Sequence, residues 1–366
     1  MTERSSSPIA HTLPLLDWLR FGAALMVVLK HTKDMSFPAF SALPHDSQAQ
    51  LFTKALYALT RYGDEAVLVF FVLSGYLVGG STFNRLRLGT FDLWSYASDR
   101  SSRILLPLLP AVLFTLALQS WRDVPASPTI ALGNALSVQG VLTPILLYNP
   151  SLWTLTYEVW FYILNGALVA ILASKTRVFG SLVVFLALAL FSVLKLELLI
   201  CWYLGVFAYF WVAQRPNLVS ALTAAGLVGL ATALEEMAGQ PGFAHLAVAA
   251  HLLLGFSVVL LVRQMAAIQP IDSLMMRLGS RLSDFSYSLY LIHYPILFLV
   301  AVWFPPAGIV DTLAVLRFLF RVAVSLLGGY LFYCLFERHT PRVRRLIKSW
   351  RMRSIATGER SHDLVT

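Results

Sequence analysis

DWLRFGAALMVVLKH, residues 17–31, sets a run as apolar as a membrane span between an arginine at position 20 and a histidine at position 31. Eleven residues of α-helix, at 100° each, return to within about 20° of the starting direction after three turns. Arg20 and His31 therefore share one helix face, separated by roughly 16 Å along the axis. Asp17, three residues before Arg20, lies on nearly the same stripe and is expected to pair with it. Ionisable groups at membrane depth are costly, and by default they point to a functional interior or a water-filled cavity. The competing reading has Arg20 snorkelling to one headgroup layer and His31 to the other. Taken alone, the stretch leaves both readings standing.

The rest of the chain shares its character. Of 366 residues, 58% are hydrophobic and 13% charged, and the mean hydropathy is +0.70. Soluble domains carry about a quarter charged residues, so this composition indicates a polytopic membrane protein. The net charge of +9 does not indicate a nucleic-acid face. Eight basic residues lie between Arg338 and Arg360, and most others sit in short loops, a pattern that suits cytoplasmic loops and anionic headgroups. Cys201 and Cys334 fall inside apolar runs, so neither a disulfide framework nor a metal site is expected. The N-terminal MTERSSSPIAHTLP lacks a small-residue cleavage site after a short apolar core, so the first apolar segment reads as a retained helix.

Helix-length apolar runs fall at 14–31, 65–80, 104–120, 151–173, 178–194, 198–213, 218–234, 243–262, 287–304 and 314–336. The expected architecture is all-α, a polytopic membrane bundle of about ten transmembrane helices. Residues 1–337 would form that domain and 338–366 a basic tail. Residues 129–148 contain Gly, Asn, Gln and Pro and read as a re-entrant or interfacial segment, not an eleventh span. An even number of spans puts both termini on one side. With the tail inside, nineteen Lys and Arg fall on the inner side against five on the outer, so both termini are expected to be cytoplasmic.

Four further constellations stand out. In SDRSSRILLPLLP, Arg100 and Arg103 end an inner loop and open a span; spaced i, i+3, they form a fork suited to phosphate or serve as ordinary positive-inside flanks. In SLWTLTYEVWFY, aromatic-belt preference accounts for Trp153, Tyr157, Trp160 and Tyr162 but not for the carboxylate of Glu158. Glu158 either bonds between helices or orients or deprotonates a reacting group. In DFSYSLYLIHYPI, His293 lies mid-span with Tyr290 and Tyr287 on a similar face, and Pro295 just beyond frees a backbone carbonyl of the preceding turn. In FFVLSGYLVGG, Ser74 and Gly75 read as small residues that allow close helix approach.

Taken together, these stretches resemble the acyltransferase-3 family of integral membrane O-acyltransferases. LDWLRFGAALMVVLKH, FFVLSGYLV, DRSSRILLPLLP, WTLTYEVWFYIL, SYSLYLIHYPI and YCLFER occur in the family's order across nearly the whole chain. The spacing of Arg20 and His31 and the Arg-x-x-Arg are among the family's most characteristic motifs. Two departures leave those residues untouched: the glycine-rich run before the second span is thinner, and His339 stands where a proline is common.

The resemblance implies transfer of an acyl group, most often acetyl, from cytoplasmic acyl-coenzyme A to a hydroxyl of a lipid-linked or exported glycan such as exopolysaccharide or lipopolysaccharide. It implies the bacterial inner membrane as the location, and membrane lipids and polysaccharide-synthesis machinery as partners. Neither nucleic acid nor a bound cofactor or metal is implied. Arg100 and Arg103 would bind the donor's phosphates, with Arg20 contacting phosphate or polarising the acyl carbonyl. His31 would act as general base or transient acyl carrier, with Glu158 orienting or stabilising its imidazole. Asp17, Trp153, Tyr157, Tyr290 and His293 would support the site or meet the acceptor. Since the sequence shows no appended hydrolase-like domain, any acyl relay to one would need another protein. Outside the resemblance, a transporter or glycan exporter also fits the span count and the intramembrane charge, although no inverted repeat relates the two halves.

Overall fold

The computed structural model describes residues 13–46, 50–125, 127–173, 177–211, 215–268 and 274–363, with side chains as far as residue 351. The residues MTERSSSPIAHT, with Arg4, and the loop position Lys175 lie outside the described residues, as do the side chains of Arg353 and Arg360.

Helix α1 spans Pro14–Asp34, α2 Leu51–Thr60 and α3 Ala66–Ser74; α3 continues through a π-helical turn, Gly75–Gly80, into α4, Ser81–Arg87. Then come α5 (Leu93–Trp121), α6 (Pro128–Ala135), α7 (Trp153–Leu172), α8 (Arg177–Phe191), α9 (Leu196–Phe210), α10 (Leu218–Ala238) and α11 (Leu246–Ala267). The amphipathic α12 (Leu274–Asp284) leads into α13 (Ser286–Trp303), α14 (Thr312–Leu335) and α15 (Thr340–Asp363). No strand occurs among the described residues; Gln139 and Thr143 form an isolated bridge. This is the all-helical class expected, because a helix satisfies its backbone internally where no water can.

Each of the ten apolar runs coincides with a helix, but among the described residues length and composition qualify seven stretches to cross a membrane. These are Leu51–Arg87, Leu93–Trp121, Pro150–Leu172, Leu218–Ala238, Leu246–Ala267, Ser286–Trp303 and Thr312–Arg351. The remaining three have identifiable shortfalls. Helix α1 carries Asp17, Arg20, Lys30, Lys33 and Asp34. Helices α8 and α9 have 15 residues each, short of the roughly 20 that a span needs.

Helix α1 lies at the centre, packed against α2, α3, α11, α12, α13 and α14. Val27 and Val28 of α1, Leu108 of α5, Phe161 of α7, Trp202 of α9 and Leu291 of α13 are buried in the bundle. Large apolar side chains such as Phe185 of α8, Leu222 of α10 and Phe320 of α14 stay exposed, as suits a surface facing hydrocarbon no less apolar than themselves. Helix α9 comes close to α3 and the π-helical turn after it at Gly75 and Gly205. A Cβ on Gly75 would overlap the Trp202 carbonyl oxygen, and one on Gly205 the Val72 carbonyl oxygen.

Two expectations change at this level. Helix α5 begins at Leu93, capped by Asp92, whose side chain accepts from the Ser95 N–H at 2.7 Å. Arg100 and Arg103 therefore lie about two and three turns inside a helix, not in a loop. Asp17 accepts from Ser280 Oγ of α12 at 2.7 Å, in place of the expected pairing with Arg20. The 129–148 segment forms the short α6 and then irregular chain. Its polar residues serve that irregular backbone: Asn134 Nδ2 donates to the carbonyls of Ile130 and Pro144, and Gln139 Nε2 to that of Leu152. Irregular chain survives at membrane depth only with such internal partners.

The basic tail is helical and docked. Arg344 and Lys348 of α15 approach Asp99 Oδ1 at 3.7 and 2.9 Å, and Arg351 meets Asp92 Oδ2 at 3.1 Å. Both carboxylates belong to the start of α5, so the tail braces the helix that carries Arg100 and Arg103.

Candidate active site

A cavity of about 220 Å³ opens between α1, α3, α5, α7 and α13. Arg20 enters it from α1, Arg100 and Arg103 from α5, Glu158 and Tyr162 from α7, and Tyr287 and Tyr290 from α13. The i, i+3 spacing puts Arg100 and Arg103 on one face of α5, as it does Asp17 and Arg20 on α1. Among the described residues none of the three arginines forms an ion pair. Arg100 instead lies over the ring of Tyr162, 5.8 Å from its centroid. Three guanidiniums converge on one partly enclosed space whose lining holds a single carboxylate, Glu158, so the site keeps an excess of positive charge and suits an anion with several oxygens.

Glu158 is held at the edge of this site by a directional chain. Trp202 Nε1 donates to Ser74 Oγ at 3.1 Å, Ser74 Oγ lies 2.9 Å from Tyr162 Oη, and Tyr162 Oη donates to Glu158 Oε1 at 2.6 Å. Trp202 can only donate and an ionised carboxylate only accept, so every proton in the chain points towards Glu158. Ser74, read from sequence as a packing residue, is the middle of this relay; Gly75 beside it has the packing role. Tyr287 Oη, on a residue that lines this cavity, is buried without a hydrogen-bond partner among the described residues.

The second cluster lies farther along α1. His31 Nδ1 and His293 Nε2 are 2.8 Å apart. The ring planes differ by 4° and the centroids by 5.1 Å, about the N···N distance plus two ring radii, so the imidazoles meet edge to edge in one plane. His293 Nδ1 lies 2.8 Å from the Tyr290 carbonyl oxygen and 3.2 Å from that of Leu289. A carbonyl only accepts, so His293 Nδ1 carries its proton and the neutral ring offers Nε2 as acceptor. His31 must then donate from Nδ1, which leaves the lone pair on its Nε2. No carboxylate contacts either ring among the described residues, and His31 Nε2 has no protein partner there. His293, fully buried, thereby fixes both the orientation and the tautomer of His31, which is partly accessible.

The backbone around His293 is prepared by Pro295. A proline at that position gives no N–H to the Leu291 carbonyl four residues earlier. Asn149 Nδ2 fills the vacancy at 3.0 Å, and its own oxygen accepts from Ser151 Oγ at 2.8 Å. At the opposite end of α13, Glu337 Oε2 accepts from both the N–H and the Oγ of Ser288, at 3.0 and 2.6 Å. A carboxylate there complements the positive end of the helix and gives the YCLFER motif a structural task.

The structure thus brings Arg20, Arg100, Arg103 and Glu158 to one cavity, and His31 and His293 to one dyad. It does not merge the two. Neither histidine lines the cavity, and the partner of His31 is His293, not Glu158 as the sequence suggested. Tyr290 stands between the clusters: it lines the cavity, and its ring centroid lies 5.8 Å from that of His293. Trp153 and Tyr157 lie outside the cavity lining. Their rings pack edge-on at 5.5 Å, and Tyr157 Oη accepts from the Lys195 N–H at 3.2 Å, anchoring the start of α9. Asn149, Tyr162, Trp202 and Tyr287 were not among the candidates. Three of these had a sequence signal: a YNPS turn at Asn149 directly precedes the Glu158 motif, Tyr162 stands four residues after Glu158, and Tyr287 shares the face of His293; Trp202 had none.

The model of the family described as "Acyltransferase domain" matches residues 13–334. An O-acetyl transferase of Shigella phage Sf6 is 27% identical over 194 residues, covering 49% of this chain and 53% of the phage protein. The chain therefore spans about half the length of that curated relative. No solved structure matches the chain significantly.

Proposed function

We propose, from the premise that this chain belongs to the acyltransferase-3 family, that it moves an acetyl group from acyl-coenzyme A to a hydroxyl of a cell-surface or exported glycan. The observation that carries the mechanism is the dyad: a 2.8 Å His31–His293 contact whose donors and acceptors leave an unshared lone pair on His31 Nε2. The name of the phage relative, O-acetyl transferase, supports acetyl as the group moved. In this reading the chain is a bundle of about ten membrane-crossing helices in a bacterial inner membrane, with both termini cytoplasmic. The Lys/Arg asymmetry supports that orientation.

The donor's phosphates rest on Arg20, Arg100 and Arg103, and its acyl arm extends along α1 towards His31. His31 Nε2 takes the proton of the acceptor hydroxyl as that oxygen attacks the thioester carbonyl carbon. The C–O bond forms and the C–S bond breaks. The imidazolium then gives its proton to the departing thiolate, so ester and free thiol are the products and the dyad returns neutral. His293 is a positioning residue: it keeps the proton of His31 on Nδ1 and the lone pair on Nε2. Glu158, anchored through Tyr162, Ser74 and Trp202, gives the arginine cavity its one carboxylate. It orders either the guanidiniums or an N–H group of the donor. No step needs a metal or a bound cofactor in this scheme; acyl-coenzyme A is a substrate.

The test uses purified full-length protein with radiolabelled acetyl-coenzyme A and a glycan extract. Release of free thiol together with labelled glycan is expected, with both lost in His31→Ala at normal protein levels. A His31→Ala protein that still acetylates its glycan would refute the assignment. An intact thioester after incubation with folded wild-type protein would refute the reaction class.

A further inference from the structure

A second space adjoins the arginine cavity and is more apolar, with Arg100 as the one charged side chain in its lining. About 310 Å³ in volume, it lies between α5, α7 and α8. Helix α7 packs on α8 and, less extensively, on α5, while no extensive contact closes α5 onto α8. The result is a slot floored by α7 and open on the side where α8 exposes Phe179 and Phe185. Small residues set its depth: Ala97 of α5, Gly166, Ala167 and Ala170 of α7, and Gly180 of α8. Its α5 wall runs from Leu93 to Leu105, about 18 Å at the helical rise.

Two residues line both spaces, Arg100 and Tyr162. The largely apolar slot therefore carries, part-way along its α5 wall, a guanidinium that has no ion pair with a carboxylate among the described residues. Alongside it lie the other two arginines, in the first cavity. A ligand complementary to both is an amphiphile whose hydrocarbon chain joins its phosphate directly. In an acyl-coenzyme A the polar pantetheine arm separates the phosphates from the acyl chain, so that donor does not place hydrocarbon beside Arg100.

We propose that this slot is a lateral port for a lipid phosphate: the chain enters from the bilayer between α5 and α8, and its phosphate or diphosphate rests on Arg100. The inference rests on the glycan-acceptor reading above and deepens it, since it makes the acceptor lipid-linked. Arg20 and Arg103 are then left chiefly to the donor, and Arg100 is the point where the two substrates meet. The ring of Tyr162, under Arg100 and bonded to Glu158, forms the partition between hydrocarbon and polar ends.

The test uses full-length protein in phosphatidylcholine nanodiscs and a farnesyl phosphate carrying a diazirine at its chain end. Saturable photolabelling is expected on slot residues of α5, α7 and α8, competed by farnesyl phosphate and not by farnesol. Ala167→Phe fills the slot floor, and Val183→Trp narrows it from α8. Each is expected to weaken labelling about tenfold, equivalent to excluding about two methylenes from the site. Melting temperatures of both variants verify that the bundle is intact, and two variants on different helices guard against one misfolding. Labelling that does not saturate, or that spreads over the exposed faces of α10 and α14, would overturn the port. Equal competition by farnesol would remove the phosphate from the proposal, and competition by palmitoyl-coenzyme A alone would reassign the slot to the donor; either result overturns it. Thioester turnover by the wild type is measured in parallel. If turnover is absent, the acyl-transfer reading fails, whatever the labelling; if turnover is present without slot labelling, the lipid port alone fails.

Discussion

The most direct perturbation of the dyad is His293→Phe, which keeps a ring of similar breadth but removes the acceptor of the His31 Nδ1–H bond. The stranded N–H then costs about 1–3 kcal/mol, unless the His31 ring turns away to find another partner. Either outcome removes the lone pair from its productive position. At about 1.4 kcal/mol per decade of rate, the expected fall in kcat is between about 5-fold and 150-fold. The KM for acetyl-coenzyme A should stay near the wild-type value, because the arginine cavity lies roughly 16 Å away along α1. His293→Gln supplies an amide oxygen that can accept from Nδ1, so it should recover part of the loss. His31→Ala removes the base itself and should cost about 10²–10⁴. Since His293 acts only through His31, the double variant should be no slower than His31→Ala alone, which is the signature of residues working as a unit. The assay is thiol release from acetyl-coenzyme A in the presence of acceptor, with melting temperatures as a check on packing. A His293→Phe enzyme within about twofold of wild-type kcat would refute the tautomer argument. So would losses in the two single variants that simply multiply in the double.

Other expectations test the surroundings of the dyad. Arg103→Ala should weaken donor binding by about 10- to 150-fold, the range of one charge-assisted hydrogen bond; titration with desulfo-coenzyme A measures it, and an unchanged affinity would take Arg103 out of the site. Ser74→Ala interrupts the chain from Trp202 to Glu158, so turnover should fall while Trp202→Phe, which removes only the outermost donor, should cost less. Gly75→Val drives a side chain into the Trp202 carbonyl, and the bundle should fail to accumulate in membranes, read by immunoblot. Arg321 donates to the Met35 carbonyl, to Ser36 Oγ and to the Phe304 carbonyl. Arg321→Met should therefore lower the melting temperature, since each stranded acceptor costs about 1–3 kcal/mol.

The helices were legible because apolar runs of span length have few other fates. The depth of Arg100 and Arg103 was not. LWSYASDRSSR is rich in serine and aspartate, which compete with helix backbone in isolation, and it reads as loop. In the fold, Ser98 and Ser102 return their hydroxyls to the carbonyls of Ser95 and Asp99 within the helix. Asp99 is matched by Arg344 and Lys348, about 245 residues later in the chain. A similar separation hid the dyad. His31 and His293 were each conspicuous as intramembrane imidazoles, but they sit 262 residues apart, and no local pattern encodes their meeting. Glu158 was conspicuous for the same reason as the arginines: a charge in an apolar segment needs a cause. Its bond to Tyr162 follows from i, i+4 spacing on one helix, so that link of the relay was within reach of the sequence. The links to Ser74 and Trp202 depend on how α3 and α9 pack at Gly75 and Gly205, which is a tertiary fact.

The two readings of the Arg20–His31 stripe can now be separated by environment. Arg20 lines the cavity shared with Arg100 and Arg103, so its charge has a polar space inside the bundle and no need to reach a headgroup layer. In the neutral form of His31 its one N–H donates to His293, so the ring has a partner inside the bundle and no need of a headgroup layer. In the proposed mechanism the stripe thus joins an anion site to a base without placing cation and base in contact, and Tyr290 stands between them. Thr154 Oγ1 donates to Tyr290 Oη at 2.9 Å, while Tyr290 Oη donates to the Ser151 carbonyl at 3.0 Å. Two neutral hydrogen bonds contribute about 1–3 kcal/mol together, and the buried ring packed on Phe70 adds to what holds Tyr290 in place. On the proposed pathway Tyr290 is the residue that must yield for an acyl group to pass from the arginines to His31.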